Sequence, residues 1–323
     1  MKKLYAALVV LALLCASASA TEILKASHSV APSHPYHLGL VKYAELVTER
    51  TNGAVTIDIF HSAQLGNERD NIEGLQMGTL DICVTSTGPM GGFEPRFFMF
   101  DLPFLFRDRE HVYKVLDGTV GQELLKKLID VGIVGAAYWE NGFRQVTNSK
   151  RPINSVNDIK GLKLRTMENQ VHIDAFRALG VDPTPMAWSE VFTALQQGVI
   201  DGQENPHLIN RDAKFWEVQK YITDIHYMLW VAPILVSERW FAKLDPDTRE
   251  LFVRAAREAA EYEWKWSEEE DAKALQQCID GGMVIGTVSD EDKWAEKARS
   301  VWPKFYDTVG GKQFVDQALE AMK

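Results

Sequence analysis

The side chains in this sequence that could do chemistry are arginines, carboxylates and histidines, and none stands in a catalytic pattern. There is no G-x-S-x-G turn to present a serine nucleophile. No P-loop and no G-x-G-x-x-G cradle is present for phosphates. The H-E-x-x-H and C-x-x-C spacings that bind zinc are missing. His28, His34 and His37 form a loose cluster. Pro35 and Tyr36 part the last two, so turn or surface histidines are the simpler reading, and a place for His28 along a cleft comes next. The arginines are more informative. Arg165 ends a strand-like stretch at 162–166 and precedes a helical pattern at 171–179. Arg144 follows Asn141, Gly142 and Phe143 after a strand-like 133–139, and Asn205 follows Asp201-Gly-Gln-Glu204 at a third strand end. Open α/β sheets bind ligands outside the carboxyl ends of their strands, and a guanidinium holds a carboxylate by two parallel hydrogen bonds. Two guanidiniums and a carboxamide converging there would suit an organic anion. Structural or surface ion pairs fit the same spacing equally well.

The elements that must position these groups follow from periodicity. A short apolar run at 23–26 reads as a strand, 38–50 as a helix stopped by Thr51-Asn52-Gly53, and 54–60 as a strand. A helix at 66–77 and a strand at 80–85 complete β-α-β-α-β, the rhythm of an α/β domain with a largely parallel sheet. Residues 87–103 crowd Gly, Pro, Met and Phe into a long apolar loop. Helices at 109–116 and 121–131 follow, then the strand at 133–139. A second α/β series has strands at 162–166, 182–185 and 202–205 and helices at 171–179 and 189–197. Two such halves predict two lobes with a cleft between them. Asp245-Pro-Asp247 caps a long helix over 249–277, which has neither Pro nor Gly and reaches about 44 Å at 1.5 Å per residue. Trp264 and Trp266 are placed to anchor it across both lobes, although an ordinary peripheral helix has the same pattern. A further helical region spans 292–319.

The N-terminus reads as a cleavable export signal at 1–20: Lys2 and Lys3, an apolar run at 4–14, and a terminal A-x-A. That run is too short to span a bilayer. Leu14 before Cys15 argues against a lipid anchor, so the soluble product is expected to start at Thr21 and to work outside the cytoplasm. The net charge of -10 argues against nucleic acid as a partner. Export permits a Cys83–Cys278 disulfide, but buried free thiols are the default.

Several ordered motifs carry a resemblance: His34-Pro-Tyr-His37, Gln64-Leu-Gly-Asn-Glu-Arg69, Glu73-Gly-Leu-Gln-Met-Gly78, Asn141-Gly-Phe-Arg144 and Thr147-Asn-Ser-Lys-Arg-Pro152. Residues 158–169, 188–198 and 201–206 extend it over almost the whole chain after the signal. The sequence resembles the substrate-binding proteins of tripartite ATP-independent periplasmic (TRAP) transporters. The resemblance implies an α/β, bilobal periplasmic-binding-protein-like fold, with two α/β domains, a hinge and a long domain-spanning helix. The expected division is 21–141 plus about 231–270 for lobe I, and 142–230 plus about 271–323 for lobe II. The resemblance gives Arg165 the ligand carboxylate, Arg144 a supporting place and Asn205 a share in holding the anion. Glu68 and Arg69 match a segment that reaches the far end of the ligand. Glu168 and Asn169 are further contacts, and Trp188 is an apolar wall or a core residue. The implied protein is a periplasmic monomer that binds a small organic acid for TRAP membrane subunits, with no cofactor, no metal and no catalysis. Hexuronates or similar hydroxy acids lead the candidates; aromatic or branched keto or hydroxy acids, a dicarboxylate or a sulfonate also fit. The rival readings are an exported sugar-acid lyase or hydrolase, using Glu68, Glu168 or Glu204 as acid or base, and a receptor subunit that presents ligand to a membrane sensor.

Overall fold

The computed structural model describes residues 21–321, so the export signal expected at 1–20, with Cys15, lies outside the described residues. The described chain opens with β1 (Glu22–Ser27), α1 (Pro35–Arg50), β2 (Val55–Phe60), α2 (Glu68–Met77) and β3 (Ile82–Val84). A four-residue helix at Thr87–Met90 and a 3-10 turn at Pro95–Met99 occupy most of the expected apolar loop. Next come α3 (Arg109–Asp117), α4 (Thr119–Lys127) and β4 (Ile133–Phe143). The second series is β5 (Gln145–Asn148), β6 (Lys163–Thr166), α5 (Gln170–Ala178), β7 (Asp182–Pro185), α6 (Trp188–Gln196) and β8 (Gly202–Asn205). It continues through α7 (His207–Asp212) and β9 (Tyr221–Asp224). Then follow β10 (Leu229–Ser237), α8 (Pro246–Asp280), β11 (Val284–Thr287), α9 (Glu291–Arg299) and α10 (Lys312–Glu320).

Two sheets form, ordered β2-β1-β3-β10-β4 and β11-β9-β5-β8-β6-β7. Each is parallel except for one reversed strand: β10 runs against β3 and β4, and β5 against β8 and β9. The reversals arise where the chain changes sheets. β4 passes through Arg144 into β5, and β9 leads back into β10. The two crossings lie side by side, Phe143 opposite Leu229 and Gly142 opposite Trp230, with a register shift between Trp230 and Val231. Gly142 has φ +93° there, a conformation that side chains with a Cβ rarely adopt. This pair of crossing strands joins the two sheets.

Local sequence explains the elements that carry the site. The His34 side chain caps α1 by accepting from Tyr36 N at 3.2 Å, and Pro35 takes the first helical position, so the helix begins earlier than expected. In α2 the Asp70 carboxylate accepts from Asn67 N at 2.8 Å in a capping box, and Gly78 closes the helix in the left-handed conformation. Asp245 caps α8 by accepting from Thr248 N at 3.0 Å. The helix then runs 35 residues, about 52 Å at 1.5 Å per residue. Its first half buries Phe252, Ala255, Ala256 and Ala259 against the first sheet. Its far end buries Cys278 against Ile222 of the second. Trp264 stacks on Tyr113 with ring centres 4.1 Å apart, and Trp266 lies under the Arg211 guanidinium.

Cys83 and Cys278 are free, buried thiols in different core clusters. The expected helical region at 292–319 is broken into α9, a 3-10 turn and α10. Within it, Trp302, Phe305, Val309, Val315 and Ala318 pack in one core cluster with Leu116, Tyr138 and Leu235, and with Val171 and Ala175 of α5. No helix among the described residues is long and apolar enough to cross a membrane.

Candidate functional site

The cleft between the lobes narrows to a small cavity of about 20 Å³, room for about one water. The first lobe contributes Asn67, Glu68 and Arg69 from the start of α2, with Pro89. The second contributes Arg165, Met167 and Glu168 after β6, and Met186, Ala187 and Trp188 between β7 and α6. These are carboxyl ends of parallel strands facing a helix N-terminus. Five residues singled out in the sequence therefore meet at one cavity: Glu68, Arg69, Arg165, Glu168 and Trp188.

Arg165 is 2 % exposed. Its Nε and Nη2 donate to the Met186 carbonyl at 3.0 and 2.9 Å, a neutral acceptor that fixes the plane of the guanidinium. Its Nη1 makes no protein hydrogen bond and is not sealed from solvent. Burial pushes its pKa down to about 10 against the pull of Glu204 and Glu68, and Arg144 adds to the lowering. A buried cation without a bonded counter-ion is costly, and an anion in the cavity relieves that cost.

Arg144 is placed differently. It is 1 % exposed and forks onto Glu204, Nε to Oε2 and Nη2 to Oε1 at 2.6 Å, while Nη2 also meets the Glu204 carbonyl at 2.7 Å. Its guanidinium lies 4.3 Å over the Trp230 ring. Tyr227 Oη donates to the same carboxylate. Burial would raise Glu204, but the charge and hydrogen bonds of Arg144 outweigh it and hold the carboxyl below its ordinary range. Arg144 is outside the cavity lining. It is the ion pair that the sequence left as one of two readings.

Glu68 is 8 % exposed and accepts from Ser86 twice, Oε1 from the backbone N at 2.6 Å and Oε2 from Oγ at 3.0 Å. Burial raises its pKa, against the two Ser86 hydrogen bonds and the charges of Arg165 and Arg144. Arg69 is half exposed, paired with Glu73 at 3.2 Å and carried over the Phe93 ring. Glu168 is exposed at the rim. Trp188 is half buried, with its ring 5.9 Å from that of Phe215.

Three expected contacts are occupied elsewhere. Asn169 caps α5 through Oδ1 and reaches across the cleft with Nδ2 to Gly88 O and Asp101 Oδ2, both at 2.8 Å. Its amide ties the lobes together and has nothing left for a ligand. Asn205 donates to Gln203 within a buried amide network, with Oδ1 left unpartnered. His28 is buried against His37, 3.1 Å from Nε2 to Nδ1, with His61 nearby, and does not line the cavity. Among the described residues no cluster of three or more His, Cys, Asp or Glu is fit to hold a metal.

Sequence reasoning missed Ser86, which holds Glu68, and Met186, whose carbonyl orients Arg165. A backbone acceptor leaves no signal in the side-chain pattern. It also missed Asn67, whose Oδ1 accepts from Ser189 N across the cleft at 3.3 Å. Asn67 lies inside a motif already noted. Gly88 closes the same seam: a Cβ there would meet Met167 Sδ and Cε at 2.7 Å.

Residues 26–308 match the model of a family described as bacterial extracellular solute-binding protein, family 7. A solute-binding protein of Verminephrobacter eiseniae is 39% identical over 308 residues, 95% of this chain and 90% of that protein. The 2,3-diketo-L-gulonate-binding periplasmic protein of Escherichia coli is 34% identical, covering 88% of this chain and 87% of its own length. Among solved structures, a TRAP periplasmic solute-binding protein from a Polaromonas species, bound to D-erythronate, superposes with a TM-score of 0.91 at 38% identity. That match covers 94% of this chain and 99% of the other.

Proposed function

The chain belongs to the family 7 bacterial extracellular solute-binding proteins, and on that premise we propose that it captures a small organic acid in the periplasm and delivers it to the membrane subunits of a TRAP transporter. One observation carries the reading. Arg165 is buried at the cavity and oriented by a neutral carbonyl, with Nη1 unpartnered. A carboxylate is the group that completes it. The relative that binds 2,3-diketo-L-gulonate and the solved structure bound to D-erythronate support an acid of the sugar-acid kind.

Capture works as a clamp. Glu68 and Arg69 come from one lobe, and Arg165, Glu168 and Trp188 from the other. A ligand touches both sets only when the lobes close, so it favours closure by its differential affinity for that state. We take the first sheet with 301–320 as one lobe, the second sheet as the other, and the protein as a monomer.

Binding without turnover is the reading the carboxylates support. Both oxygens of Glu68 are held by Ser86, and those of Glu204 by Arg144 and Tyr227. Glu204 lies outside the cavity and is spent on its ion pair, and Glu68 is pinned by Ser86, so the two do not form an acid and base pair about one substrate bond.

The test is a thermal-shift panel of carboxylates, sulfonates and neutral sugars. A true ligand at a thousandfold excess over Kd stabilises the folded state by about 4 kcal/mol. Carboxylates raising the melting temperature while neutral sugars do not is the expected result. No response from any carboxylate contradicts the reading.

A further inference from the structure

We propose that Asp101 and Asn169 form a latch that holds the two sides of the cleft together without a ligand, and so sets the affinity for every ligand without choosing among them. Neither residue lines the cavity, and both are positioning residues. The proposal rests on the clamp reading above and adds a part of the clamp that is built from the chain alone.

The latch joins the segments that follow two strands of different sheets. β3 of the first sheet leads into Thr87 and Gly88, and β6 of the second leads into Asn169. Asn169 is buried, and its amide is divided between two tasks. Oδ1 accepts from Val171 N at 2.8 Å and His172 N at 3.2 Å, which starts α5. Nδ2 donates to Gly88 O and Asp101 Oδ2, both at 2.8 Å. Asp101 is buried as well; its Oδ1 accepts from Thr87 Oγ1 at 2.8 Å and lies 3.4 Å from His172 Nε2. The carboxylate thus sits at the N-terminus of α5, where the helix dipole favours negative charge. Val171 and Ala175 of the same helix pack in one core cluster with Phe97, Phe100 and Leu105, which flank Asp101 in the chain. A buried hydrogen bond to an ionised group is among the stronger kinds, and separating its partners leaves both to be resolvated. Each of these contacts runs from chain to chain and uses no ligand atom. The chain nevertheless sets them beside the site: Met167 and Glu168, just before Asn169, and Pro89, just after Gly88, line the cavity. Ligand and latch favour the same closed arrangement. A protein that is closed more of the time binds every ligand of that arrangement more tightly, and by the same factor.

Small-angle scattering without ligand, and calorimetry with D-erythronate and galactonate, test the proposal on the parent and its variants. Asn169→Asp keeps a capping oxygen for α5 but loses the donor and sets like charge against Asp101. Asp101→Asn keeps the shape and removes the charge. The two changes together exchange carboxylate and carboxamide, which restores one donor–acceptor pair with its roles reversed. Without ligand, Asn169→Asp should have a larger radius of gyration than the parent, Asp101→Asn should fall between them, and the double variant should return toward the parent. Both acids should bind Asn169→Asp roughly tenfold or more weakly, by factors that agree within about threefold, and the double variant should recover most of that loss. Unliganded profiles that coincide for the parent and the single variants overturn the proposal. So does a double variant that melts normally yet improves on Asn169→Asp in neither readout. Losses that differ between the two acids by more than about threefold also overturn it, because they make Asn169 a ligand contact. If Asn169→Asp does not fold, the unliganded profile of Asp101→Asn decides, and if neither acid binds the parent, the scattering series decides alone. The carboxylate panel judges the organic-acid reading separately: carboxylates that stabilise the parent while the profiles coincide leave that reading standing and remove the latch.

Discussion

Replacing Glu204 by Gln strips the counter-charge from a guanidinium that is 1 % exposed. Arg144 would keep the Glu204 carbonyl as an acceptor at 2.7 Å but lose two charge-assisted bonds, and Tyr227 would lose its ionised acceptor. Removing one partner of a buried ion pair costs about 3–5 kcal/mol, because the other charge is left desolvated and unpaired. At this chain length about 2 °C accompanies each kcal/mol, so the melting temperature should fall by roughly 6–10 °C. Thermal melts of Glu204→Gln, Arg144→Met and the double variant are the assay. The double variant should be less destabilised than the sum of the two, since it leaves no orphaned charge. A Glu204→Gln protein that melts within a degree of the parent, or strict additivity, refutes the assignment of Arg144 to a structural pair.

Two further predictions concern buried titratable groups. His28 is held down to about 2 from an ordinary 6.5 by burial and by His37, His34 and His61, so its contribution is present above pH 6.5 and is lost as pH falls. At pH 5 that is about 2 kcal/mol. Melting temperature should drop between pH 7 and 5, and less steeply in His28→Asn; equal slopes would count against the cluster. Glu263 of α8 accepts from Glu140 N at 3.1 Å, and its Oε1 is buried with no partner. Burial first, and then the Glu140 charge, hold its carboxyl well above the ordinary range. Its contribution is full below pH 4.5 and lost as pH climbs. Glu263→Gln should therefore match the parent in urea at acid pH and gain on it as pH rises. A variant that loses ground at high pH would contradict a protonated Glu263.

The long helix and the strand-end arginines were legible because their signals are local: a cap, an unbroken helical composition, an arginine at the close of a strand. What escaped depends on pairing over distance. Arg144 and Glu204 are 60 positions apart and meet because β5 lies against β8. β5 is a short, largely polar strand with no alternation to reveal it. β10 is apolar but carries Pro233 in its interior, where proline ordinarily argues against a central strand. Asn169 read as a ligand contact from its position beside Arg165, yet it also begins α5, and the cap and the cross-lobe bonds take its whole amide. The tail at 301–320 has an amphipathic pattern that says one face is buried but not against which lobe.

The central claim is that one buried guanidinium, Arg165, receives the carboxylate of the ligand. Calorimetric titration of the carboxylate giving the largest thermal shift, into the parent and into Arg165→Met, tests it most directly. The account predicts a loss of about 2–5 kcal/mol, roughly 30- to 4,000-fold in Kd. It also predicts a melting temperature for the unliganded variant that is unchanged or higher, because a buried cation without a bonded counter-ion has been removed. An Arg165→Met protein that binds the same acid within about threefold of the parent would contradict the account.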